Sequence, residues 1–365
     1  MRILIVRYKK TKSVFDGGEQ ASERNLKILQ RIVGKDNVDT YFIHNESKKR
    51  TAMDYLMGAF YMLFGYYFGL TPARTKEIVL LSKSYDVVFI DRSIFGIIAK
   101  RLKQARYTGR IVAFFHNVEV IYFSAKYSNR YNPLRWLVLM CADVNDRYSC
   151  RYSDKIIALN NRDDDELHQR YRRRADVLIP IAFEDKYKRN TYPDNIVPRK
   201  PLCMFLGAYF PANVEGIEWF VRNVYPKVDI RLQIVGKDMA KLKDTDWIDN
   251  TIEIVSDAPA LLPYFEAADI MILPIFKGSG MKVKTCESLM YGKNIVATPE
   301  AWVGYDLDYS KAGACCNTAE EFISAIKSIS YGGGIRRFNE YSRKIFLEKY
   351  SADCMVEKFR AAIER

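Results

Sequence analysis

The feature that most constrains this chain is a rhythm. Short β-rich apolar runs alternate with stretches long enough for a helix, and they do so in two series. The first series is 3–6, 38–43, 86–91, 110–115, 155–159 and 176–179; the second is 202–206, 231–235, 251–255, 269–273 and 294–298. Antiparallel neighbours need only a tight turn between them, whereas gaps of crossover length belong to parallel strands. Such sheets are covered on both faces, so their strands read as continuous apolar runs. The expected class is α/β, with two Rossmann-like, doubly wound domains. At 365 residues the chain is too long for one ordinary core. We place an N-terminal domain at 1–182 and a C-terminal domain at 201–334. The Lys-, Arg-, Asn- and Pro-rich stretch 183–200 reads as a linker. Sheets of this kind bind ligands beyond the carboxyl ends of their strands, which points to a central cleft faced by both domains.

One stretch, 276–298, departs from ordinary crossover chemistry. It opens with Lys277-Gly278-Ser279-Gly280, continues as a helical pattern from Met281 and stops at Gly292. Glycines let the backbone turn tightly and leave no Cβ in a ligand's way. The helix N-terminus that follows offers unpaired N–H groups and a dipole that favour an anion. At helical spacing Val283, Cys286, Leu289 and Met290 share an apolar side; Lys284, Glu287, Ser288 and Tyr291 share the other. A phosphate beside Lys282 and Lys284, and a sugar hydroxyl on Glu287, would suit this arrangement. The plain alternative is a surface helix with a Lys–Glu pair. The stretch GSGMKVKTCESLMYGKNIVAT resembles the donor motif of the retaining family 4 (group 1) glycosyltransferases. That resemblance extends over most of the chain and implies the GT-B fold. It places Glu287 on the glutamate that holds the nucleotide ribose, and Gly278, Ser279, Gly280 and Met281 in the phosphate loop. Where the commoner family form has a second glutamate, this chain has Ser279. In that family the terminal helix crosses back to the first domain, a role expected for 335–365.

Other corners carry chemistry too. Gly17 and Gly18 enter a helix after the first strand, followed by Arg24 and Asn25. This is an anion-ready turn or a plain βα turn, and it is not the GxGxxG of dinucleotide oxidoreductases. His116 stands just past the fourth strand, where doubly wound folds place ligands. A lone histidine there is structural or functional; its HNVE setting resembles the family 4 loop whose histidine approaches the transferred sugar. The family's arginine around the first C-domain loop is missing here, and Lys282 or Lys284 is expected to supply that charge. The loops 235–238 and 255–257 resemble those bordering the nucleotide base. Asp163, Asp164 and Asp165 read as the acidic first turn of a helix.

Composition narrows the partners. Apolar content of 48% and charged content of 28% are globular values. The net charge of +13 invites nucleic acid, an anionic membrane surface or a phosphorylated substrate. The cluster Arg170-Tyr171-Arg172-Arg173-Arg174 reads as a solvated helix end, and no nucleic-acid motif is present, so nucleic acid is excluded from the expected partners. Seven cysteines without a CxxC pair and three histidines without metal spacing suggest no metal site and a reducing cytoplasm. The opening MRILIV reads as a strand, not a signal peptide. The stretch 53–70 approaches a membrane span in length. Spanning would put strands 38–43 and 86–91 on opposite sides of a bilayer, so it is a buried core helix or an aromatic face resting on lipid near Lys48, Lys49 and Arg50.

The expected function is transfer of a sugar from a nucleotide-sugar donor to a glycan or lipid-linked acceptor. The resemblance implies retention of configuration, no metal and no cofactor, and a place in surface polysaccharide biosynthesis; the expected location is the cytoplasm, at the inner face of the cell membrane if the 53–70 stretch rests on lipid. His116 and Lys284 are the expected catalytic groups. The rivals are a GT-B epimerase acting on a nucleotide sugar and a non-catalytic sugar-binding or membrane-associated protein.

Overall fold

The computed structural model describes residues 1–10, 17–45, 51–127, 134–187, 200–278, 280–331 and 337–364. Ser279 and the Lys48-Lys49-Arg50 run lie outside the described residues. The chain divides into two compact units: Met1–Ala182 with Ala352–Arg365, and Phe183–Ser351.

In the first unit the strands are β1 (Ile3–Lys10), β2 (Val38–Asn45), β3 (Val87–Ile90), β4 (Arg110–Phe115), β5 (Lys155–Ala158) and β6 (Val177–Leu178). They form one parallel sheet in the order β2-β1-β3-β4-β5-β6. Its helices are α1 (Gly17–Val33), α2 (Ala52–Met62), α3 (Pro72–Ser82), α4 (Gly96–Gln104), α5 (Glu119–Lys126), α6 (Arg135–Tyr152) and α7 (Asn161–Tyr171).

The second unit holds β7 (Leu202–Leu206), β8 (Arg231–Gly236), β9 (Ile252–Ser256), β10 (Ile270–Leu273), β11 (Asn294–Ala297) and β12 (Gly313–Cys315). Their order, also parallel, is β12-β11-β10-β7-β8-β9. Around them lie α8 (Pro211–Asn223), α9 (Leu262–Ala267), α10 (Val283–Met290), α11 (Pro299–Trp302), α12 (Tyr309–Ala312), α13 (Ala319–Tyr331) and α14 (Glu340–Ile345). The last helix, α15 (Ala352–Ile363), belongs to the first unit.

All eleven runs read from the sequence are strands. The central ones, β3, β7 and β10, are buried at every position, as strands covered on both faces must be. The twelfth, β12, is three residues long and only half-buried, so it carries no apolar run to announce it. Each sheet reverses its order beside the first strand, between β1 and β3 in one unit and between β7 and β10 in the other. The two crossovers leaving such a point go to opposite faces, which opens a crevice at the strands' carboxyl ends.

An aspartate at the entrance of a strand recurs as a register pin. Asp86, Asp154, Asp176 and Asp269 stand just before β3, β5, β6 and β10. Their carboxylates accept backbone N–H groups at the start of neighbouring strands, those of Arg2, Ile111, Ile156 and Leu202, at 2.7–2.8 Å. Each thereby satisfies a donor that the sheet ladder leaves over at its edge. Asp269 is fully buried and also pairs with Arg337 at 3.2 Å. Asp269→Ala should cost about 2–3 kcal/mol, the scale of a charge-assisted hydrogen bond left unmade. Urea denaturation followed by a probe in the second unit measures it.

The start of the stretch read as a linker is fixed on the second unit. Phe183 donates its N–H to the Tyr350 carbonyl at 3.1 Å, and Asp185 pairs with Arg343. Tyr187 stacks on Phe338 with ring centroids 5.5 Å apart. At the other end Phe346 and Tyr350 are buried in the same unit, so the returning segment is Ala352–Arg365 and the helix before it stays behind. There Phe359 stacks on Phe114 at 6.2 Å with rings nearly parallel.

The basic cluster at 170–174 is neutralised locally. Arg170 pairs with Glu166, Arg173 with Asp176, and Arg174 with Asp164 and Asp165. Asn160 caps α7 by accepting the Asp163 N–H at 3.0 Å, which accounts for the acidic run as a helix start.

The stretch 53–70 is divided between the two environments considered for it. Met62, Tyr66 and Leu70 are in the core, while Met53, Leu56, Phe60 and Phe64 are more than half exposed. Among the described residues no helix is long and apolar enough to cross a membrane.

Candidate active site

In the second unit the site grows from the β7–β10 switch point. Leu206, the last residue of β7, leads to Gly207; the loop after β10 leads through Gly278 and Gly280 to α10. Gly236, closing β8, has φ +154°, and a Cβ there would stand 1.7 Å from the Gly207 carbonyl oxygen. Only glycine lets these two strand ends approach so closely. Gly280 has φ +62°, the left-handed turn that re-aims the chain into α10.

The helix begins at Val283, two residues later than the pattern suggests. Met281 is buried, so its side chain is core and only its backbone is left for a ligand. Lys282 is extended, and its ammonium is bound by Glu300 at 2.7 Å and the Gly280 carbonyl at 3.0 Å. A Cβ on Gly278 would meet the Lys282 stem at 2.9 Å. Lys282 and Glu300 therefore brace the glycine loop from behind. Tyr305 adds to the brace by donating to the Lys282 carbonyl at 2.7 Å.

Lys284 reaches the loop that follows β7. Its ammonium donates to Asn213 Oδ1 at 2.8 Å and lies 4.6 Å from the centroid of the Phe205 ring. It would stand 3.0 Å from a Cβ on Gly207. Burial pushes its pKa down to about 7, and the nearby Lys282 pushes the same way against the pull of Glu287. A dianionic guest would reverse that shift.

One turn on, Glu287 is half-buried, and its carboxylate has no side-chain hydrogen bond among the described residues. Burial raises its pKa to about 7, opposed by Lys186 and Lys284. Its neighbours are fixed: Thr285 Oγ1 donates to the Ala301 carbonyl, Ser288 Oγ to the Lys284 carbonyl, and Tyr291 stacks on Phe265 at 4.3 Å. A rigid helix thus presents one lysine and one unsatisfied carboxylate. The loops read as bordering a base are braced as well: Asp257 accepts from the Asp238 N–H at 3.3 Å, and its own N–H bonds the Gly236 carbonyl.

In the first unit the β1–β3 switch point holds a buried polar network. Gly17 and Gly18 form the first turn of α1, and one turn further the helix sends Ser22 and Asn25 inward. Ser22 Oγ donates to Asp91 Oδ2, and Asn25 Nδ2 donates to Asp91 Oδ1 at 2.7 Å. Asp91 directly follows β3 and is fully buried. His116 Nε2 lies 3.5 Å from Asp91 Oδ1, an electrostatic contact too poorly aligned to be a hydrogen bond, so Nε2 has no hydrogen-bond partner among the described residues. The imidazole packs on Phe114 at 4.7 Å. Burial lowers the His116 pKa against the pull of Asp91. Burial alone would raise Asp91, but His116, Ser22 and Asn25 outweigh it and hold the carboxyl below its usual range. Arg24 donates to Asn25 Oδ1 and to the Pro180 carbonyl, locking the network to the strand ends. Nearby, Glu119 is 3% exposed and raised to about 7 by burial, with Arg92 and Lys126 opposing.

Sequence reasoning missed Asp91, Ser22, Asn213, Lys186 and Glu119. For Asp91 the signal was available, since an aspartate directly after an apolar run marks a strand's carboxyl end. Asn213 and Lys186 reach the site only through the fold.

Residues 200–330 match the sequence profile of the family described as Glycosyl transferases group 1. That match takes in β7 to β12, the glycine loop and α10. The chain carries a group 1 glycosyltransferase domain. No curated protein matches the sequence. Among solved structures, this glycosyltransferase resembles sucrose-phosphate synthase from Thermosynechococcus elongatus with a TM-score of 0.72 at 11% identity, over 99% of this chain and 98% of that one. Anabaena HepE in complex with UDP-glucose gives 0.67 at 13% identity, over 99% and 98%. A glycosyltransferase from Rickettsia africae gives 0.64 at 16%, over 99% and 97%. The fold of this glycosyltransferase is GT-B, with two Rossmann-like sheets.

Proposed function

We propose that the protein transfers a glycosyl group, with retention of configuration, from a nucleoside-diphosphate sugar to a glycan or lipid-linked acceptor. The setting is surface polysaccharide assembly at the inner, anionic face of the cell membrane. The observation that carries this reading is the pairing of Lys284 with the unsatisfied Glu287 on one turn of α10, behind the Gly278–Gly280 loop. That is an anion site and a hydroxyl acceptor one helical turn apart, which suits a diphosphate and its ribose. HepE, of the same fold, was solved with UDP-glucose, and separately with UDP and glucose.

The chemistry asked of the residues is modest. As the glycosidic bond to the diphosphate breaks, negative charge grows on the leaving oxygen. The α10 N-terminus and Lys284 meet that charge, and they stabilise the transition state more than the bound donor. Neither a metal ion nor a cofactor is part of the proposal. Lys282, held by Glu300, keeps the loop in shape. Glu287 binds the ribose, and the backbone of Gly278, Gly280 and Met281 lines the phosphates. The amides of Gly17 and Gly18, with His116, are assigned to the reacting sugar.

Donor hydrolysis without acceptor tests the reading. A transferase slowly releases free sugar and nucleoside diphosphate; an epimerase returns an interconverted nucleotide sugar; a binding protein returns the donor unchanged. Lys284→Ala should lower the rate of donor cleavage on the order of a hundredfold, as removal of a transition-state donor does. Its effect on nucleoside binding should be much smaller. Equal losses in cleavage and nucleoside affinity would show that the lysine only binds.

A further inference from the structure

Helix α2 is built inside out. Surface helices normally turn their apolar stripe to the core and their polar side to water. Here Met53, Leu56, Met57 and Phe60, continued by Leu63 and Phe64 in the turn after the helix, each lie three or four residues from another of the set, so they fall along one face. That face is the exposed one: the six residues are 42–67% accessible. On the other side, Met62 is buried in the core with Tyr66 and Leu70, and Ala59 and Tyr61 pack against it.

The ridge is held in shape. Thr51 and Asp54 form a reciprocal capping box at the start of α2, with contacts of 2.7–3.3 Å. Phe60 and Phe64 meet edge to face at 5.2 Å, and Tyr55 packs on Phe68 at 5.3 Å. Asp54 is the helix's single charged residue and is engaged by this cap. Soluble monomers seldom leave an apolar patch of more than a few hundred Å² open to water, and larger ones mark a partner or a membrane.

Length and charge choose between those occupants. Eleven residues make a helix of about 16 Å, roughly half the thickness of a bilayer's hydrocarbon core, so α2 can lie in an interface but not cross it. A net charge of +13 opposes self-association of two copies and favours an anionic leaflet. Aromatic and long apolar side chains on one face suit the boundary between headgroups and acyl chains.

We propose that α2 is a membrane-docking helix. It lies in the plane of an anionic leaflet with Met53, Leu56, Met57, Phe60, Leu63 and Phe64 inserted below the headgroups. This rests on the reading of the acceptor as lipid-linked, and it makes the first unit the one held at the membrane. Attachment is interfacial and reversible, and it combines apolar insertion with general electrostatic attraction.

Flotation of the full-length protein with vesicles tests it without any need for turnover. With phosphatidylglycerol–phosphatidylcholine vesicles at low salt the wild type should float, and pure phosphatidylcholine should carry it at least tenfold less well. Raising salt to 0.5 M, where the Debye length falls to only a few ångströms, should release most of it. Leu56→Ser with Phe60→Ser, and separately Leu63→Ser with Phe64→Ser, should each reduce flotation at least tenfold. Both variants should keep the wild-type thermal shift with UDP. Protein left at the bottom with anionic vesicles overturns the proposal, as does unchanged flotation of both variants. Wild-type dimers that the substitutions convert to monomers, without flotation, would assign the ridge to a second copy and also overturn it. Flotation with no donor hydrolysis would instead retain the docking helix and remove the transferase reading.

Discussion

Replacing Glu287 by alanine should weaken nucleoside diphosphate binding at least tenfold while the fold stays intact. The carboxylate has no side-chain hydrogen bond among the described residues and stands one turn beyond the diphosphate lysine. Two ribose hydroxyls would fill that vacancy, and charge-assisted hydrogen bonds are worth about 1.5–3 kcal/mol each. Stability should move the other way in Glu287→Gln. Burial raises the native pKa to about 7 from 4.5, despite Lys186 and Lys284. Between those values the native state holds more protons than the unfolded chain, so this group's contribution to stability falls as pH rises through the window. Above pH 7 the wild type bears the full cost of the buried charge, which glutamine lacks. The variant should therefore melt higher than wild type at pH 8, and the advantage should fade towards pH 4.5. From pH 6 to pH 8 the wild type gains the Glu287 carboxylate for the ribose but loses the Lys284 ammonium for the diphosphate, so nucleotide affinity should fall more steeply over this range in Glu287→Gln than in the wild type. Calorimetry at both pH values, beside thermal melts, gives all four numbers. Unchanged affinity in the alanine variant would remove Glu287 from the ribose.

Why the second unit was so legible, and the first less so, follows from where the information sits. The strands β7 and β10 announce themselves because a sheet covered on both faces needs unbroken apolar runs. The Gly278–Glu287 segment is local: loop, charge and carboxylate lie within ten residues, so spacing alone brings them together. The network around Asp91 is assembled from α1, β3 and the loop after β4, and no periodicity links Ser22 to residue 91 or 116. Lys282 was expected with Lys284 in the turn after the loop; it stands just before the helix with extended backbone, its ammonium held by Glu300, eighteen residues on. The stretch 53–70 resisted a single assignment because it has none: Met53, Leu56, Phe60, Leu63 and Phe64 face outward, while Met62, Tyr66 and Leu70 face inward.

The second large effect belongs to His116 and to the carboxylate behind it. His116→Ala should lower turnover tenfold to a hundredfold, the size of one or two hydrogen bonds to a reacting sugar. The affinity for free UDP should hardly change, since the residues proposed to hold the ribose and diphosphate, Glu287 and Lys284, lie in the second unit. A merely structural histidine would lower the melting temperature instead. Asp91 is a positioning residue in this scheme. It does not reach solvent, and it is fixed by Ser22 and by Asn25 at 2.7 Å. Its charge favours the protonated imidazole, while burial, the larger influence, favours the neutral one. The wild-type acid limb of turnover should therefore fall below pH 6.5, where the imidazole gains its proton. Asp91→Asn removes the pull towards protonation, so that limb should move to still lower pH while the plateau rate drops. The opposite shift, or a limb that stays put, would show that Asp91 serves the fold and does not act through His116. Steady-state rates between pH 5 and pH 8 for wild type, Asp91→Asn and His116→Ala separate these cases, because the last of the three should show no such limb.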